Sequence, residues 1–193
     1  NSSLRLELLA LAARDQRIRH EITRVTKQFE RMGTSDSASP LTKSQQEDLS
    51  LLSEEMVRID SENTERMIRI IEKHGWPGIA LVGKDGAHAA WMLIQHADAS
   101  PTFQRKCLSL MTRLPQGEVS QKEVAYLTDR VLLAEGKRQR YGTQVVQEGQ
   151  TFKPRTLEDE DGVDQRRAAV GLPPLADYLT QIEEFYGGGG DPQ

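Results

Sequence analysis

The stretch that decides the fold is residues 4–25, LRLELLALAARDQRIRHEITRV. Its apolar residues recur at spacings of three and four, which is the repeat of an amphipathic helix. These are Leu4, Leu8, Leu11, Ile18, Ile22 and Val25. We predict a helix from Ser2 or Ser3, either of which could cap it, to about Met32. Residues 33–40, GTSDSASP, have the composition of a linker.

A second long helix is predicted after this linker. Thr42 or Ser44 is a suitable N-cap, and Gly75 with Pro77 is a stop signal. The inner face of this helix is marked by Leu49, Leu52, Met56, Ile59, Asn63, Met67, Ile70 and Ile71. Since the two helices are joined by a short segment, we predict that residues 1–74 form an antiparallel helical hairpin.

Shorter helices are predicted in the rest of the chain. Small residues within 87–94 indicate a buried central helix, and Ser100-Pro101 indicates a new helix start. Ser120 with Glu123 is a capping-box pattern that predicts another helix. Residues 141–153 are predicted to form a short β-hairpin or an extended loop. Two short helices, 163–170 and 175–185, complete the prediction.

The fold class predicted from these patterns is mainly α, a helical bundle. We expect residues 1–186 to form a single helical domain, with the hairpin at 1–74 and a motif-bearing core at 75–186. Residues 187–193, which include four consecutive glycines, are expected to be a flexible tail.

Composition excludes several classes of protein. The 193 residues are 37% hydrophobic and 28% charged with a net charge of −4, which is typical of globular proteins and argues against nucleic-acid binding. No apolar run approaches the roughly 20 residues that span a membrane. The single cysteine, Cys107, cannot form an internal disulfide and is expected to be a buried inert thiol, which fits a reducing cytoplasm.

Three polar clusters lie at the ends of predicted helices: residues 95–98 (QHAD), 128–130 (TDR) and 139–144 (QRYGTQ). His96 is the natural acid or base because an imidazole titrates near neutral pH. Asp98 or Asp129 could orient its ring, and Arg130 could hold an anionic group. We therefore predict the catalytic residues His96, Asp129 and Tyr141, and the substrate-binding residues Gln95, Asp98, Arg130, Gln139 and Gln144.

Each cluster also has a purely structural interpretation. His96 could be a buried histidine satisfied by one carboxylate, and Asp129 with Arg130 could be ordinary helix architecture. The segment 141–144 could be a turn in which Gly142 has a positive φ. In the predicted hairpin, Asp15 and Arg19 have the spacing of a surface ion pair. The alternative is that Asp15 or Asp60 points inward and supports a polar site.

No motif for a cofactor or metal stands out. The chain has no nucleotide-binding glycine loop, no HExxH and no CxxC. We therefore expect no cofactor and no metal. A metal site that combines His96 and Asp98 with a distant third ligand stays open as an alternative.

Several short motifs together resemble a known bacterial family. They are GWP at 75–77, QHAD at 95–98, AYLTDR at 125–130 and YGTQ at 141–144. This combination resembles a family described only as a domain of unknown function, and the similarity extends over most of the chain. The resemblance implies a shared fold and a shared polar site, and it brings no established activity.

The leading functional hypothesis is an enzyme that performs metal-free acid/base chemistry, hydrolysis or group transfer, on a small polar or anionic molecule. One alternative is a non-catalytic ligand-binding or protein-interaction module, in which the same residues form a buried network. A second alternative is a metal-dependent enzyme that uses His96. A homodimer is left open, and no nucleic-acid or membrane partner is expected.

Overall fold

Seven helices and one small sheet make up the part of the chain that the structure, a computed structural model, describes: residues 1–32, 41–149 and 151–187. The predicted linker at 33–40 and residues 188–193 of the predicted tail lie outside it. The helices are α1 (Ser2–Met32), α2 (Lys43–His74), α3 (Ile79–Gln95), α4 (Pro101–Met111), α5 (Gln121–Ala134), α6 (Val163–Ala169) and α7 (Leu175–Gly187). Strands β1 (Val145–Glu148) and β2 (Thr151–Pro154) pair antiparallel. The prediction of a mainly α fold with a short β-hairpin is confirmed.

The ends of α2 follow from local sequence signals. Thr42 and Gln45 form a capping box, in which each side chain accepts a hydrogen bond from the backbone of the other residue. At the other end, the φ of Gly75 is 69°, a conformation that glycine adopts without a steric penalty. Ser120 occupies the N-cap position of α5, but its side chain makes no capping hydrogen bond, so that part of the predicted capping box is wrong.

Helices α1 and α2 pack as the predicted antiparallel hairpin. Ion pairs join Glu7 to Arg66 and Arg14 to Glu62, so that positions rising along α1 meet positions falling along α2. The core of this region is formed by the apolar stripes of the two helices and by α3, which packs against both. Its buried members include Leu4, Leu8, Ile18, Ile59, Met67, Ile70, Ala90, Leu93 and Ile94.

Helix α3 contains a break near its start. Gly83 has φ 76° and ψ 170°, so the helical path is interrupted there and resumes at the next residues. A Cβ added to Gly86 would lie 2.8 Å from the Cβ of Val82, which leaves no space for a side chain. A Cβ at either glycine would also contact the Arg5 side chain of α1. The helix ends at Gln95, directly before His96.

The chain divides into two compact units, residues 1–103 and 104–193. The first unit holds α1, α2 and α3. The second holds α5, the β-hairpin, α6 and α7, and α4 spans the division. The single domain over residues 1–186 stays a prediction. Among the described helices, none is long and apolar enough to cross a membrane.

Candidate functional site

The first unit contains a buried polar cluster in which three helices meet. We define the Asp15–His96 cluster as Asp15 and Arg19 of α1, Asp60 of α2 and His96, which follows α3. Nδ1 of His96 lies 2.9 Å from each carboxylate oxygen of Asp15. Because an ionised carboxylate only accepts hydrogen bonds, Nδ1 must carry the proton. In a neutral ring the lone pair is then on Nε2.

The arginine of this cluster connects its two carboxylates. Nη2 of Arg19 donates to Oδ1 of Asp60 at 2.6 Å and to Oδ1 of Asp15 at 3.3 Å, and its Nε lies 3.3 Å from both Asp15 oxygens. The Asp15 side chain is fully buried, whereas those of Arg19, Asp60 and His96 are 26%, 21% and 22% exposed. The interpretation of Asp15 and Arg19 as a surface ion pair is therefore wrong, and the inward orientation of Asp15 is correct.

The two carboxyl groups of the cluster have opposite pKa shifts. Burial acts to raise the pKa of Asp15, but the hydrogen bond and charge of His96, together with Arg19 and Gln16, outweigh it and hold this pKa below its ordinary value. Burial raises the pKa of Asp60 above its ordinary value, because Arg19 offsets desolvation only in part and Asp15 adds repulsion. Asp15 is thus the carboxylate that is held ionised beside the imidazole.

A buried amide lies on the same face of α2 as Asp60. Asn63 is one helical turn after Asp60 on α2, so the two side chains are on the same face of the helix. It is 1% exposed, and neither atom of its amide has a hydrogen-bond partner among the described residues. A buried polar group without a partner is rare, since each carries a desolvation penalty of about 1–3 kcal/mol. The Asn63 amide therefore keeps donor and acceptor capacity that no described residue uses.

The cluster also has the composition of a cation site. Among the described residues, Asp15, Asp60 and His96 each offer one ligand atom, and these three atoms lie within 4.8 Å of one another. Two carboxylates and an imidazole suit several divalent metals. A metal there would have to displace the Arg19 guanidinium from between the carboxylates.

The second unit contains a loop, residues 139–144, that is held by a buried carboxylate and that we call the Asp129 loop. The fully buried carboxylate of Asp129 accepts from the backbone N–H groups of Arg140 at 2.7 Å, Tyr141 at 3.0 Å and Thr143 at 2.9 Å, and from the Thr143 hydroxyl at 2.9 Å. These bonds show that Asp129 holds the backbone of residues 139–144 in place. The carboxylate that contacts His96 belongs to Asp15 and not to Asp129.

The side chains of Gln139 and Arg167 also hold this loop, through hydrogen bonds to backbone groups. The buried Gln139 amide donates to the carbonyls of Gln144 and Arg155 and accepts from the Gln144 N–H. Arg167, also buried, donates to the carbonyl of Tyr141, and burial lowers the pKa of its guanidinium. Sequence reasoning did not select Arg167, because nothing local marks a buried arginine that binds carbonyls.

The predicted site residues are divided between the two units. Gln95 is buried at the end of α3, and Asp98 is exposed two residues after His96. In the second unit, Arg130 is half-buried on α5 beside Asp129, Tyr141 is half-buried under the Arg140 guanidinium at 5.9 Å, and Gln144 is half-buried. The structure thus groups Asp129, Gln139, Tyr141 and Gln144 around one loop, and it assembles His96 with residues of α1 and α2.

Asp15 of the cluster and the neighbouring Asn63 could have been selected from their positions in the apolar repeats. Asp15 lies four residues after Leu11 and three before Ile18, so it completes the spacing of the α1 stripe. Asn63 lies four residues after Ile59 and four before Met67, so it continues the stripe of α2. A polar residue at a core position of a helix indicates a polar site more strongly than a polar residue on the surface does.

Comparison with known proteins identifies the family. A sequence profile described as a family of unknown function, DUF6624, matches residues 2–189, which is nearly the whole chain. The chain belongs to DUF6624. Membership of DUF6624 confirms the resemblance to a family of unknown function and assigns no activity. No curated protein and no solved structure matches the chain.

Proposed function

We propose that this member of DUF6624 is an enzyme that performs acid/base chemistry, hydrolysis or group transfer, on a small polar molecule, with His96 as the acid or base. The observation that supports this most directly is the pair of contacts from Nδ1 of His96 to the buried Asp15 carboxylate. A carboxylate on one ring nitrogen fixes the tautomer, orients the ring and stabilises the imidazolium when the other nitrogen takes a proton.

In the proposed mechanism, Nε2 of His96 removes a proton from water or from a substrate hydroxyl and later returns it to the leaving group. Asp15 is a positioning residue, and Arg19 positions Asp15 by linking it to Asp60. The imidazole is 22% exposed, which leaves part of its ring accessible while Asp15 stays buried. Proton transfer of this kind contributes roughly 10²–10⁴ in rate.

The charge of the cluster favours a polar substrate over an anionic one at this position. Two ionised aspartates and one arginine leave a net charge of −1 while the imidazole is neutral. An anion near Asp15 and Asp60 would be repelled unless His96 were protonated. The proposed substrate is therefore neutral or cationic at the atoms that meet His96. In this proposal Asp129, Gln139 and Arg167 position the Asp129 loop, and Tyr141 and Gln144 are kept as candidate substrate contacts.

The test compares His96→Asn with His96→Ala. The amide nitrogen of an asparagine falls near the position of Nδ1, so His96→Asn keeps a donor for Asp15 and removes Nε2. We expect both variants to lose at least about 100-fold in turnover of compounds consumed from a metabolite extract. His20→Ala, which changes an exposed histidine on α1, is the control and should retain wild-type turnover.

A non-catalytic protein would give a different pattern. If the cluster only stabilises the fold or binds a partner, His96→Asn should resemble wild type in stability and in its effect on the extract, whereas His96→Ala should be destabilised. Turnover that survives in a folded His96→Asn protein would refute the proposal.

A second candidate function is metal-dependent catalysis at the same cluster. It is favoured by the three ligand atoms within 4.8 Å of one another, and the Asn63 amide, one helical turn after Asp60, has no partner among the described residues. Its residues would be Asp15, Asp60 and His96, with His96 as a ligand instead of a base. Metal analysis of purified wild type and His96→Asn separates the two candidates: stoichiometric metal in the wild type that is lost in the variant supports the second, and absence of metal in active protein supports the first.

A further inference from the structure

The first unit has a cleft away from the residues of the Asp15–His96 cluster. It has a volume of about 450 Å³ and lies between the first turns of α1 and the last turns of α2. A volume of this order is within the range of small-molecule sites. The lining residues that matter here are Leu4, Glu7, Arg66, Arg69, Ile70 and Lys73.

The charges that line this cleft are mainly positive. Arg66, Arg69 and Lys73 project from one face of α2, because their spacings of three and four residues keep them in line along the helix. Glu7 is the one carboxylate among the residues that line the cleft, and it forms an ion pair with Arg66. Three fixed positive charges against one negative charge leave a net charge of +2.

Other charges near the cleft do not cancel this excess. Arg69 has a long contact with Glu65, 3.9 Å between nitrogen and oxygen, and both side chains are more than half exposed. Exposed pairs of this kind are weak. The carboxyl end of α2 contributes a partial charge of only about −0.5. His74, the last residue of α2, also lines the cleft and adds positive charge when it is protonated.

Two of the residues that line the cleft are apolar. Leu4 is 5% exposed and Ile70 is 3% exposed, so both belong to the core and present only a small surface to the cleft. A ligand that fits would place an anionic group against the cations of α2 and a short apolar part against these two residues. Inorganic ions would use only the first of these contacts.

We propose that this cleft binds a small organic anion that carries phosphate or carboxylate groups. The site is separate from the proposed acid/base chemistry and does not depend on it. Its cations are those of Arg69 and Lys73, with Arg66 held in place by Glu7.

The experiment is isothermal titration calorimetry with two probes, inorganic pyrophosphate and citrate, in buffer without divalent metal. The test protein is the double variant Arg69→Gln/Lys73→Gln. The matched control is Lys43→Gln, which removes a 91% exposed cation from the first residue of the same helix. All three substitutions change exposed side chains, and circular dichroism checks that the helices are retained.

We expect the wild type to bind at least one probe with a dissociation constant of roughly 1 mM or lower. Binding should weaken at least tenfold in Arg69→Gln/Lys73→Gln, stay unchanged in Lys43→Gln, and weaken as salt is added. A preference for pyrophosphate or for citrate identifies the anionic group. Equal binding by the double variant and the control, or no binding of either probe to the wild type, overturns the proposal.

Discussion

Removal of the Asp129 carboxylate should strongly destabilise the second unit. In Asp129→Ala, the Thr143 N–H and hydroxyl lose their acceptor, and Thr143 is only 4% exposed. Each buried donor left without a partner costs roughly 1–3 kcal/mol. The N–H groups of Arg140 and Tyr141 are partly buried and recover some hydrogen bonding to water. We therefore expect a loss of about 3–4 kcal/mol in the free energy of unfolding, close to the loss seen when a buried charged partner is removed.

Urea unfolding followed by circular dichroism measures this loss, with Asp164→Ala as the matched control. Asp164 is exposed and accepts a single backbone hydrogen bond, from Leu175 at 2.7 Å. Its removal should cost about 1 kcal/mol, the usual value for one cap. Asp129→Asn should be nearly as destabilised as Asp129→Ala, because each Asp129 oxygen accepts from at least two donors and an amide replaces one oxygen by a donor. If Asp129→Ala lost no more than Asp164→Ala, the account of this loop would be wrong.

Three further predictions concern single residues. The folded-state pKa of Asp15 is below its ordinary value of 3.8, so its stabilisation is fully present above about pH 4 and is lost as pH falls through the lowered pKa. The stability difference between wild type and Asp15→Asn should therefore shrink in acid, and a difference that stays constant would contradict this. Gly86→Ala should lower the melting temperature, because its Cβ would lie 2.8 Å from the Cβ of Val82. The steric cost of about 1–3 kcal/mol exceeds the gain in helix propensity. An unchanged melting temperature would show that the helix relaxes around the new side chain. Burial raises the pKa of Cys107 to about 12, so a thiol reagent at pH 8 should label it only after denaturant is added, and rapid labelling of the folded protein would show that the thiol is accessible.

The helices could be predicted because their signals are local. The repeat of three and four in α1, the cap at Thr42 and the stop at Gly75 each depend on residues within a few positions of one another. The β-hairpin was predictable for the same reason. The break at Gly83 was less visible, since one glycine in an apolar segment is compatible with either a kink or a continuous helix.

The candidate site was predicted in part. His96 was selected from its side chain alone, but its partner Asp15 is 81 positions away, and no spacing rule connects the two. The sequence showed Asp129 and the segment 139–144 as neighbouring motifs. It did not show how they interact, because backbone N–H groups that donate to a carboxylate leave no pattern in the side chains of the loop.

The sequence distance between Asp15 and His96 determines the order in which the Asp15–His96 cluster is assembled during folding. Loop closure over 81 positions carries an entropy penalty that helix formation within α1 and α2 does not. The helical hairpin alone contains Asp15, Arg19 and Asp60 without the imidazole, so a nascent chain that has emerged only to the end of α2 holds the acids and lacks the base. The tautomer of His96 is therefore a spectroscopic marker for folding of the first unit, and a nitrogen-15 NMR signal that assigns the proton to Nδ1 should arise only after α3 has docked on the hairpin.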